Sequence, residues 1–357
     1  MKILLFTDSL GSGGAQRQLV GLATMLHERG YDVKVCTYHD FDFYKSFLDE
    51  RGINNELIPG ASNKLFRIWA VARYFKKEKP NWVIAYLETP SLVACCIKIM
   101  GIGFRLIVSE RNTTQRMGIN EYVRFFLYRF ADCIVPNAYA QEKFLLKIRP
   151  WMRKKMKVIH NFVDLKRFSP NYKKRSKSAK FLIVGSISAS KNTLLLIEAC
   201  KILKKQGVKV RFLWYGWTDT PSEYMKESER RINEYQLSDM IQFKKKCKNI
   251  ECAYKNAEYY CIPSIFEGTP NVLCEAIASG LPVVGSNVCD NARYIKNGYN
   301  GFLFNPYSPS DIAKSIEKLI ALPDETYENF CRNSRRLAEQ TLNQKIFLNK
   351  YISIFKS

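Results

Sequence analysis

Strand-like and helix-like segments alternate twice along this chain of 357 residues, and no other feature constrains its fold as strongly. In the first half, helical patterns such as 15–28 and 121–130 separate short apolar runs at residues 3–7, 33–37, 82–87, 106–109 and 133–136. Strands that follow one another through helices pair in parallel, because each helix carries the chain back to the starting edge. The pattern predicts an α/β fold with a parallel sheet covered by helices on both faces.

The same alternation begins again after a polar, basic stretch at residues 169–178, which is typical of a linker. A helical pattern at 192–205 accompanies further strand-like runs at 181–185, 210–215, 259–263 and 283–285. We predict an N-terminal domain at 1–168, a C-terminal domain at 169–340 and a final helix at 341–357. Open parallel sheets bind ligands at the carboxyl ends of their strands, so two facing domains would place both binding edges on one cleft.

Composition favours a globular, cytoplasmic protein. Hydrophobic residues make up 46% of the chain and no run of about 18 apolar residues occurs, so no transmembrane helix is expected. The opening segment is short, strand-like and followed by Asp8, which disfavours a signal peptide. The eleven cysteines are odd in number, scattered and without a C-x-x-C pair, which favours reduced thiols over disulfides.

The net charge of +23 points to polyanions such as nucleic acid, anionic lipid or phosphate-bearing substrates. The excess is shared almost equally between residues 1–168, at +12, and the remainder, at +11. Two stretches, 121–130 and 143–157, combine basic residues with aromatic or apolar ones in a way that suits anionic lipid headgroups. A core helix and a solvated basic face would explain the same residues, and the sequence leaves both interpretations open.

Two loops rich in small residues follow strand-like runs and precede helices. In residues 11–15, the backbone N–H groups of Gly13 and Gly14 can approach an anion at a helix start, although a tight turn explains them equally well. Their spacing is not G-x-G-x-x-G, which disfavours a nicotinamide cofactor. In residues 185–192, Lys191 stands at a helix start, where its ammonium could neutralise a diphosphate without a metal. An exposed lysine at a helix start is the alternative.

Residues 263–276 carry the sharpest local signal. A buried-type strand ends at Pro263, and a loop of small residues enters a helix at about Pro270, which is a favourable first helical position. The backbone N–H groups of the next three residues, 271–273, then lie in the first helical turn, where an anion is favoured.

Two carboxylates flank this predicted helix start. Glu267 precedes the helix, and Glu275 lies inside it. Carboxylates accept hydrogen bonds from paired sugar hydroxyls. Two solvated acids would be the alternative, but Glu275 lies in the apolar stretch 273–278, which fits that interpretation poorly.

The spacing of Glu267 and Glu275 resembles the E-x7-E motif of retaining glycosyltransferases, and residues 278–284 continue the match. Residues 160–164 and 297–303 are similar to two further stretches of glycosyltransferase family 4. The resemblance covers nearly the whole chain in order. It implies the GT-B fold, in which two Rossmann-like domains face each other across a cleft and a C-terminal helix crosses back to the first domain.

The resemblance also implies roles for individual residues. Glu267 would contact hydroxyls of the transferred sugar, Glu275 would hold the nucleotide ribose, and Lys191 would neutralise the diphosphate. Glu267 and Lys191 are therefore the candidate catalytic residues. The implied donor-binding residues are Gly13, Gly14, Lys191, Glu267, Gly268, Thr269, Pro270, Asn271, Val272, Leu273 and Glu275.

The implied activity is retaining transfer of a hexose or N-acetylhexosamine-type sugar from a nucleotide-diphosphate sugar, with UDP expected, to a glycan acceptor. Such acceptors are expected to be lipid-linked, as in polyprenyl-diphosphate glycans of surface polysaccharide or lipopolysaccharide biosynthesis. The resemblance implies no metal and no other cofactor. It also implies a cytoplasmic enzyme, peripheral on the inner face of the cell membrane, with an anionic membrane surface as a partner and no nucleic acid.

Three positions depart from the family's pattern. Ser186 stands where the family usually has an arginine, so one positive charge on the diphosphate is missing. Glu110 and its neighbours follow the strand-like run where many members have a histidine, and Arg111 or Asn112 is expected to face the donor sugar instead. The expected base-reading loop, 243–247, contains no glycine, which leaves the base open.

Two other functions fit parts of the sequence. A UDP-sugar epimerase would share the fold, but its histidine-rich site is hard to build from His27, His39 and His160. A nucleic-acid-binding protein would explain the charge, but no binding module is recognisable. Stabilisation against heat by nucleotide diphosphates or by oligonucleotides discriminates between these classes, because a ligand stabilises the state that it binds.

Overall fold

The computed structural model describes residues 1–112, 114, 117–172, 174–247 and 249–356. The chain forms two compact units. The first contains Met1–Asn161 together with Lys345–Ser357, and the second contains Phe162–Gln344. Each unit is built around one parallel sheet of six strands with helices between the strands.

The strands of the first unit are β1 (Lys2–Phe6), β2 (Asp32–Thr37), β3 (Asn54–Leu57), β4 (Trp82–Tyr86), β5 (Arg105–Glu110) and β6 (Cys133–Pro136). Its helices are α1 (Gly14–Glu28), α2 (Lys45–Asp49), α3 (Arg67–Glu78), α4 (Glu88–Ile99), α5 (Ile119–Leu127) and α6 (Tyr139–Ile148), with 3-10 turns at Tyr128–Phe130 and Pro150–Lys155. The strand order is β3-β2-β1-β4-β5-β6. The central strands are almost completely buried, as expected for strands covered by helices on both faces.

The strands of the second unit are β7 (Ala179–Val184), β8 (Val210–Trp217), β9 (Ile241–Lys245), β10 (Tyr259–Ile262), β11 (Val283–Ser286) and β12 (Gly301–Phe304). Its helices are α7 (Thr193–Lys205), α8 (Glu223–Glu234), α9 (Ile250–Asn256), α10 (Asn271–Ala278), α11 (Asn291–Tyr294), α12 (Pro309–Ile320) and α13 (Asp324–Thr341), with a 3-10 turn at Ala189–Lys191. The order β12-β11-β10-β7-β8-β9 repeats that of the first sheet when the strands are counted within the unit. Both sheets are therefore doubly wound, and the predicted α/β fold is confirmed.

The last helix, α14 (Gln344–Phe355), returns the chain to the first unit. The Tyr351 hydroxyl lies 3.0 Å from the Tyr86 hydroxyl at the end of β4. The Phe355 ring packs against Trp82 and Tyr31, with centroids 5.3 and 6.0 Å apart. The predicted return of a C-terminal helix to the first domain is confirmed, and buried aromatic packing holds it there.

The second unit begins earlier than the predicted boundary after Phe168. Val163 and Phe168 pack into the core of the second unit, which assigns residues 162–168 to it. The expected linker at 169–178 belongs to this unit. The backbone N–H of Ser176 donates to the buried Glu258 carboxylate at 2.7 Å, which fixes the segment at that point. Lys173 lies outside the described residues.

Three strands were absent from the predicted pattern. The strand β3 is short and mostly exposed, so it lacks an apolar signal. The strand β9 includes Phe243, Lys244 and Lys245, which corrects the expected loop at 243–247. The strand β12 begins inside the stretch 297–303, for which no strand was predicted. The edge strands β3 and β9 are buried on fewer sides, so their sequences are less apolar, whereas the edge strand β12 is apolar and buried.

Within the described ranges, no helix combines the length and the apolar character that crossing a bilayer requires.

Candidate active site

The strand order brings two of the predicted site loops together in the second sheet. Sequence order reverses between β7 and β10, which pair directly in parallel. Such a reversal opens a crevice at the carboxyl ends of the two strands, where open α/β sheets bind their ligands. The loop with Lys191 follows β7, and the loop with Glu267 follows β10.

The first loop is shaped by close packing at Gly185 and Gly216. The indole N–H of Trp214 donates to the Gly185 carbonyl at 2.8 Å, and the Gly185 N–H donates to the Tyr215 carbonyl at 2.9 Å. A Cβ atom at Gly216 would lie only 1.8 Å from the Gly185 carbonyl oxygen, so this position admits no side chain. These contacts fix where the chain leaves β7.

Lys191 ends the 3-10 turn Ala189–Lys191, and Asn192 follows in the left-handed conformation, with φ of 59°. The Asn192 side chain is buried and donates to the Pro306 carbonyl at 2.7 Å. These contacts hold the backbone of Lys191 in place just before α7 begins. Its ammonium forms an ion pair with the Glu267 carboxylate, and both side chains remain partly exposed, at 24% and 12%.

The second loop is tied to its neighbours on both sides. The Ile265 N–H donates to the Ser190 carbonyl at 2.9 Å, which joins this loop to the first one. The buried Ser286 hydroxyl, at the end of β11, lies 2.5 Å from the Ser264 carbonyl and donates to it. The roles of Ser286 and Trp214 were not predictable from the sequence, because they depend on which strands are neighbours.

The helix α10 begins one residue later than predicted. Pro270 adopts an extended conformation at the N-cap and is not the first helical residue. The N–H groups of Leu273 and Cys274 both donate to the Pro270 carbonyl at 3.1 Å. Of the three amides predicted for anion binding, that of Leu273 therefore has a partner within the helix. Asn271 and Val272 are the first two helical residues.

Glu275 lies in the middle of α10 and is only 2% exposed. Burial raises the pKa of the Tyr260 hydroxyl on β10, and the Glu275 carboxylate adds to this rise. The Glu267 carboxylate also contributes, which places both acids within electrostatic reach of one tyrosine. The remaining predicted donor residues, Gly268 and Thr269, lie between Glu267 and the helix, and Thr269 is buried.

The predicted glycines of the first loop belong to the other unit. Gly13 is the N-cap of α1, with an extended φ of −73°, and both Gly13 and Gly14 are exposed. A Cβ atom on Gly13 would meet the Gln16 side chain at 2.1 Å. That amide donates to Asp8 at 3.0 Å, so Gln16 takes the space that a side chain at position 13 would need.

Arg111 has a different role from the one predicted. It is 7% exposed, and its guanidinium donates to Ser109 at 2.8 Å, Tyr86 at 2.9 Å and Asn161 at 3.2 Å. It also donates to Tyr351 and so fastens α14 to the first sheet. These partners argue against Arg111 as a sugar contact. Asn112 is exposed, and its contact with a sugar stays a prediction.

The neighbouring Glu110 forms a buried polar cluster that sequence reasoning did not assign. Its carboxylate accepts hydrogen bonds from the Tyr128 hydroxyl and, at 3.2 Å, from the Gln141 amide. The Arg124 guanidinium lies 3.7 Å away and also pairs with the half-exposed Glu88 at 3.0 Å. Burial raises the pKa of Glu110, although the charge of Arg124 opposes the rise.

The raised pKa of Glu110 predicts how the stability of the protein depends on pH. An acid with a higher pKa in the folded state holds its proton more tightly there, so stability falls as pH rises from the usual value of 4.5 through the folded pKa. Glu110→Gln removes this dependence. The melting temperature of the variant should therefore rise relative to that of the wild type as pH rises. Glu142→Gln on α6 is the matched control. Parallel curves for wild type and Glu110→Gln would contradict the assignment.

The described ranges contain no group of three or more His, Cys, Asp or Glu side chains arranged to hold a metal ion. The site of the second unit instead combines one ammonium, one partly exposed carboxylate and the start of a helix. Cationic groups and helix N-termini stabilise anions that form during a reaction. This combination suits a ligand with both a phosphate and hydroxyl groups.

Two doubly wound sheets, with such a site at the switch point of the second, define the GT-B class of two-domain proteins. Two family models match the chain in succession. The model described as "Glycosyltransferase Family 4" matches residues 12–167, and the one described as "Glycosyl transferases group 1" matches residues 165–337. The chain belongs to glycosyltransferase family 4, and it is a glycosyltransferase.

Several proteins are similar over nearly the whole length. An α-1,4-N-acetyl-D-galactosaminyltransferase of Campylobacter jejuni, which acts on an undecaprenol-diphosphate-linked glycan according to its name, is 23% identical over 94% of this chain and 93% of its own. The amylovoran biosynthesis glycosyltransferase AmsD of Erwinia amylovora is 24% identical over 93% of each chain. The crystal structure of HepE from Anabaena in complex with UDP and glucose superposes with a TM-score of 0.86 at 18% identity, over 100% of this chain and 99% of HepE.

Proposed function

We propose that this protein is a retaining glycosyltransferase that moves a hexose or N-acetylhexosamine-type sugar from a UDP-sugar to a lipid-linked glycan in polysaccharide or oligosaccharide biosynthesis. The observation that carries the proposal is the pairing of Lys191 with Glu267 at the switch point of the second sheet. The two residues are 76 positions apart in the chain, and the strand order brings them together. Their chemistry matches the two ends of a sugar diphosphate.

In the proposed reaction, the bond between the anomeric carbon and the diphosphate oxygen breaks, and the anomeric carbon bonds to the acceptor oxygen on the same face. The acceptor proton passes to the leaving phosphate. Lys191 neutralises the charge that grows on the diphosphate, with help from the first turn of α10. Glu267 accepts hydrogen bonds from sugar hydroxyls, and Glu275 from the nucleotide ribose.

The donor proposal is supported by two similar structures. HepE has been crystallised with UDP and with UDP-glucose. A sequence identity as low as this one shows only that the folds are alike. The uracil base of the donor is therefore a proposal for this chain. The acceptor proposal is supported by the names of two Campylobacter jejuni relatives, both of which act on undecaprenol-diphosphate-linked glycans.

The direct test is a transfer assay with a panel of nucleotide-sugars and polyprenyl-diphosphate-linked glycans, read by mass spectrometry. The proposal expects one product whose mass equals acceptor plus one sugar residue. Nuclear magnetic resonance of the anomeric proton should show that this product keeps the α configuration of the donor. An inverted linkage would contradict retention. Hydrolysis or epimerisation of the donor without transfer would contradict the function.

Transfer is expected to survive excess EDTA. Lys191 and the start of α10 can stabilise the leaving diphosphate in the place of a metal, because a fixed positive charge near the leaving group lowers the barrier. The rate should be measured with and without EDTA at the same ionic strength. Complete loss that is restored by Mg²⁺ or Mn²⁺ would contradict metal independence.

We also propose that the enzyme works at the cytoplasmic face of the cell membrane. The helix α5 supports this location because Ile119, Tyr122, Val123 and Phe126 form an exposed apolar stripe on it. Their spacing of three and four positions places them on one helical face. In the basic stretch 143–157, Lys155 donates to the carbonyls of Arg129 and Ala131, and its first role is therefore structural.

A further inference from the structure

A second apolar surface lies where α3 begins, outside the stretches that the sequence singled out. Leu65 is 84% exposed, Phe66 62% and Trp69 69%, and Ile68 is also exposed. Single exposed apolar side chains are ordinary, but four within five consecutive positions form a patch that calls for a partner.

This segment, residues 65–69, is held in a fixed position by Arg67. The Arg67 side chain is buried and donates to the carbonyls of Ala61 and Ser62 at 2.8 and 3.0 Å. Its guanidinium also stacks on the Tyr38 ring at 4.1 Å. The exposed side chains are thus displayed by a preformed element, which reduces the entropy that binding would cost.

The exposed charges of residues 64–77 are positive, and the acid that ends α3, Glu78, pairs with Lys2 and Lys34. Residues 64–77 contain five basic side chains and no acidic one. Arg73, Lys76 and Lys77 are exposed further along α3, so the outer face of the helix changes from apolar at its start to basic towards its end. A helix with this gradient suits an anionic bilayer, because the apolar start can enter the acyl boundary while the basic part stays among the headgroups.

The patch shares one face of the first sheet with the exposed stripe on α5. The mostly buried helix α4 packs against both α3 and α5. All three helices follow parallel neighbouring or near-neighbouring strands, so they begin at the same edge of the sheet. The beginning of α3 and the stripe on α5 therefore lie on the same side of this unit.

A nearby pair of exposed aromatic residues provides a contrast. Phe41 and Phe43 are 67% and 53% exposed in the loop after β2. Asp40 and Asp42 alternate with them in the sequence, so this loop carries negative charge. An anionic surface would repel it, whereas it would attract the start of α3.

We propose that the start of α3 is a membrane-insertion element that binds anionic phospholipid bilayers, with Leu65, Phe66 and Trp69 entering the interface. The inference rests on the proposed function in one respect, since such an element serves a transferase whose acceptor is held in a bilayer. A tryptophan at position 69 fits membrane insertion, because its ring prefers the boundary between acyl chains and water.

Vesicle co-sedimentation of the full chain tests the proposal. The probes are vesicles of phosphatidylcholine alone and of phosphatidylcholine mixed with phosphatidylglycerol. Wild type should bind only the anionic vesicles and lose binding as salt is added. The double variant Leu65→Ser/Trp69→Ser should bind on the order of tenfold or more weakly, because two apolar side chains no longer enter the interface. The control variant Phe41→Ser/Phe43→Ser should bind like wild type.

Tryptophan fluorescence gives a second measurement that does not depend on affinity. Anionic vesicles should shift the emission of wild type to shorter wavelength, and Trp69→Phe should lose most of the shift while still binding. Circular dichroism and melting temperature establish that each variant is folded.

Equal vesicle binding by wild type and Leu65→Ser/Trp69→Ser would overturn the proposal. A wild type that ignores anionic vesicles but forms a dimer that the double variant cannot form would also overturn it, in favour of a second copy of the chain. A water-soluble acceptor separates this outcome from the proposed function. Loss of vesicle binding with unchanged transfer to that acceptor supports the membrane element, whereas an absence of transfer to any acceptor concerns the function alone.

Discussion

Lys191→Ala is expected to lower kcat by about 10²- to 10³-fold, the usual effect of removing one group that stabilises charge developing in a transition state. The lysine is held by the turn Ala189–Lys191 and by the buried Asn192, so no other cation of this loop can take its place. Ser186 stands where the family usually has an arginine, and this loss of charge is expected to increase the dependence on Lys191. The charge on the diphosphate grows as the bond to the sugar breaks, so kcat should fall at least as much as KM rises.

Steady-state kinetics of donor use measure this effect. Lys205→Ala is the matched control, because it removes the same charge from an exposed position at the other end of α7. Lys191→Arg keeps the charge with a different shape and should recover part of the rate. A rise in KM with unchanged kcat would mean that Lys191 only binds the donor.

Glu275→Ala should weaken the binding of UDP by about 10- to 150-fold, since losing a hydrogen bond to a charged group costs roughly 1.5–3 kcal/mol. Glu275 is 2% exposed and lies within an apolar helix. Isothermal calorimetry with UDP gives the affinity of each variant directly.

Two further variants separate binding from folding. Glu275→Gln keeps the volume and one acceptor oxygen, and should retain more affinity than the alanine variant. Glu325→Ala removes an exposed acid from α13 and should leave UDP affinity unchanged. A folded Glu275→Ala protein that binds UDP as tightly as wild type would remove Glu275 from the site.

Local sequence patterns predicted most of the strands because burial on both faces leaves a continuous apolar run. The central strands β1, β4 and β10 are of this kind, and each was predicted within one or two residues. The edge strands β3 and β9 were missed for the opposite reason, since most of their residues are polar and exposed or half-buried. The strand β12 was missed although it is apolar and buried.

The exact residue at which α10 begins was also not predictable from the local sequence. Proline is compatible both with the first helical position and with the extended residue before it. The local sequence does not distinguish these two states. The carbonyl of Pro270 accepts the first hydrogen bonds of α10, and that geometry assigns it to the N-cap.

The sequence by itself determined the two rounds of α/β alternation, the family resemblance and the residue types of the candidate site, because all of these depend on neighbours along the chain. Only the tertiary structure decided which distant segments meet. It paired Lys191 with Glu267, turned Arg111 inward to hold Tyr351 of α14, and left Trp69 exposed. Each of these outcomes depends on strand order and helix packing, which bring together residues that are far apart in the sequence. No pattern within either local segment predicts such a contact.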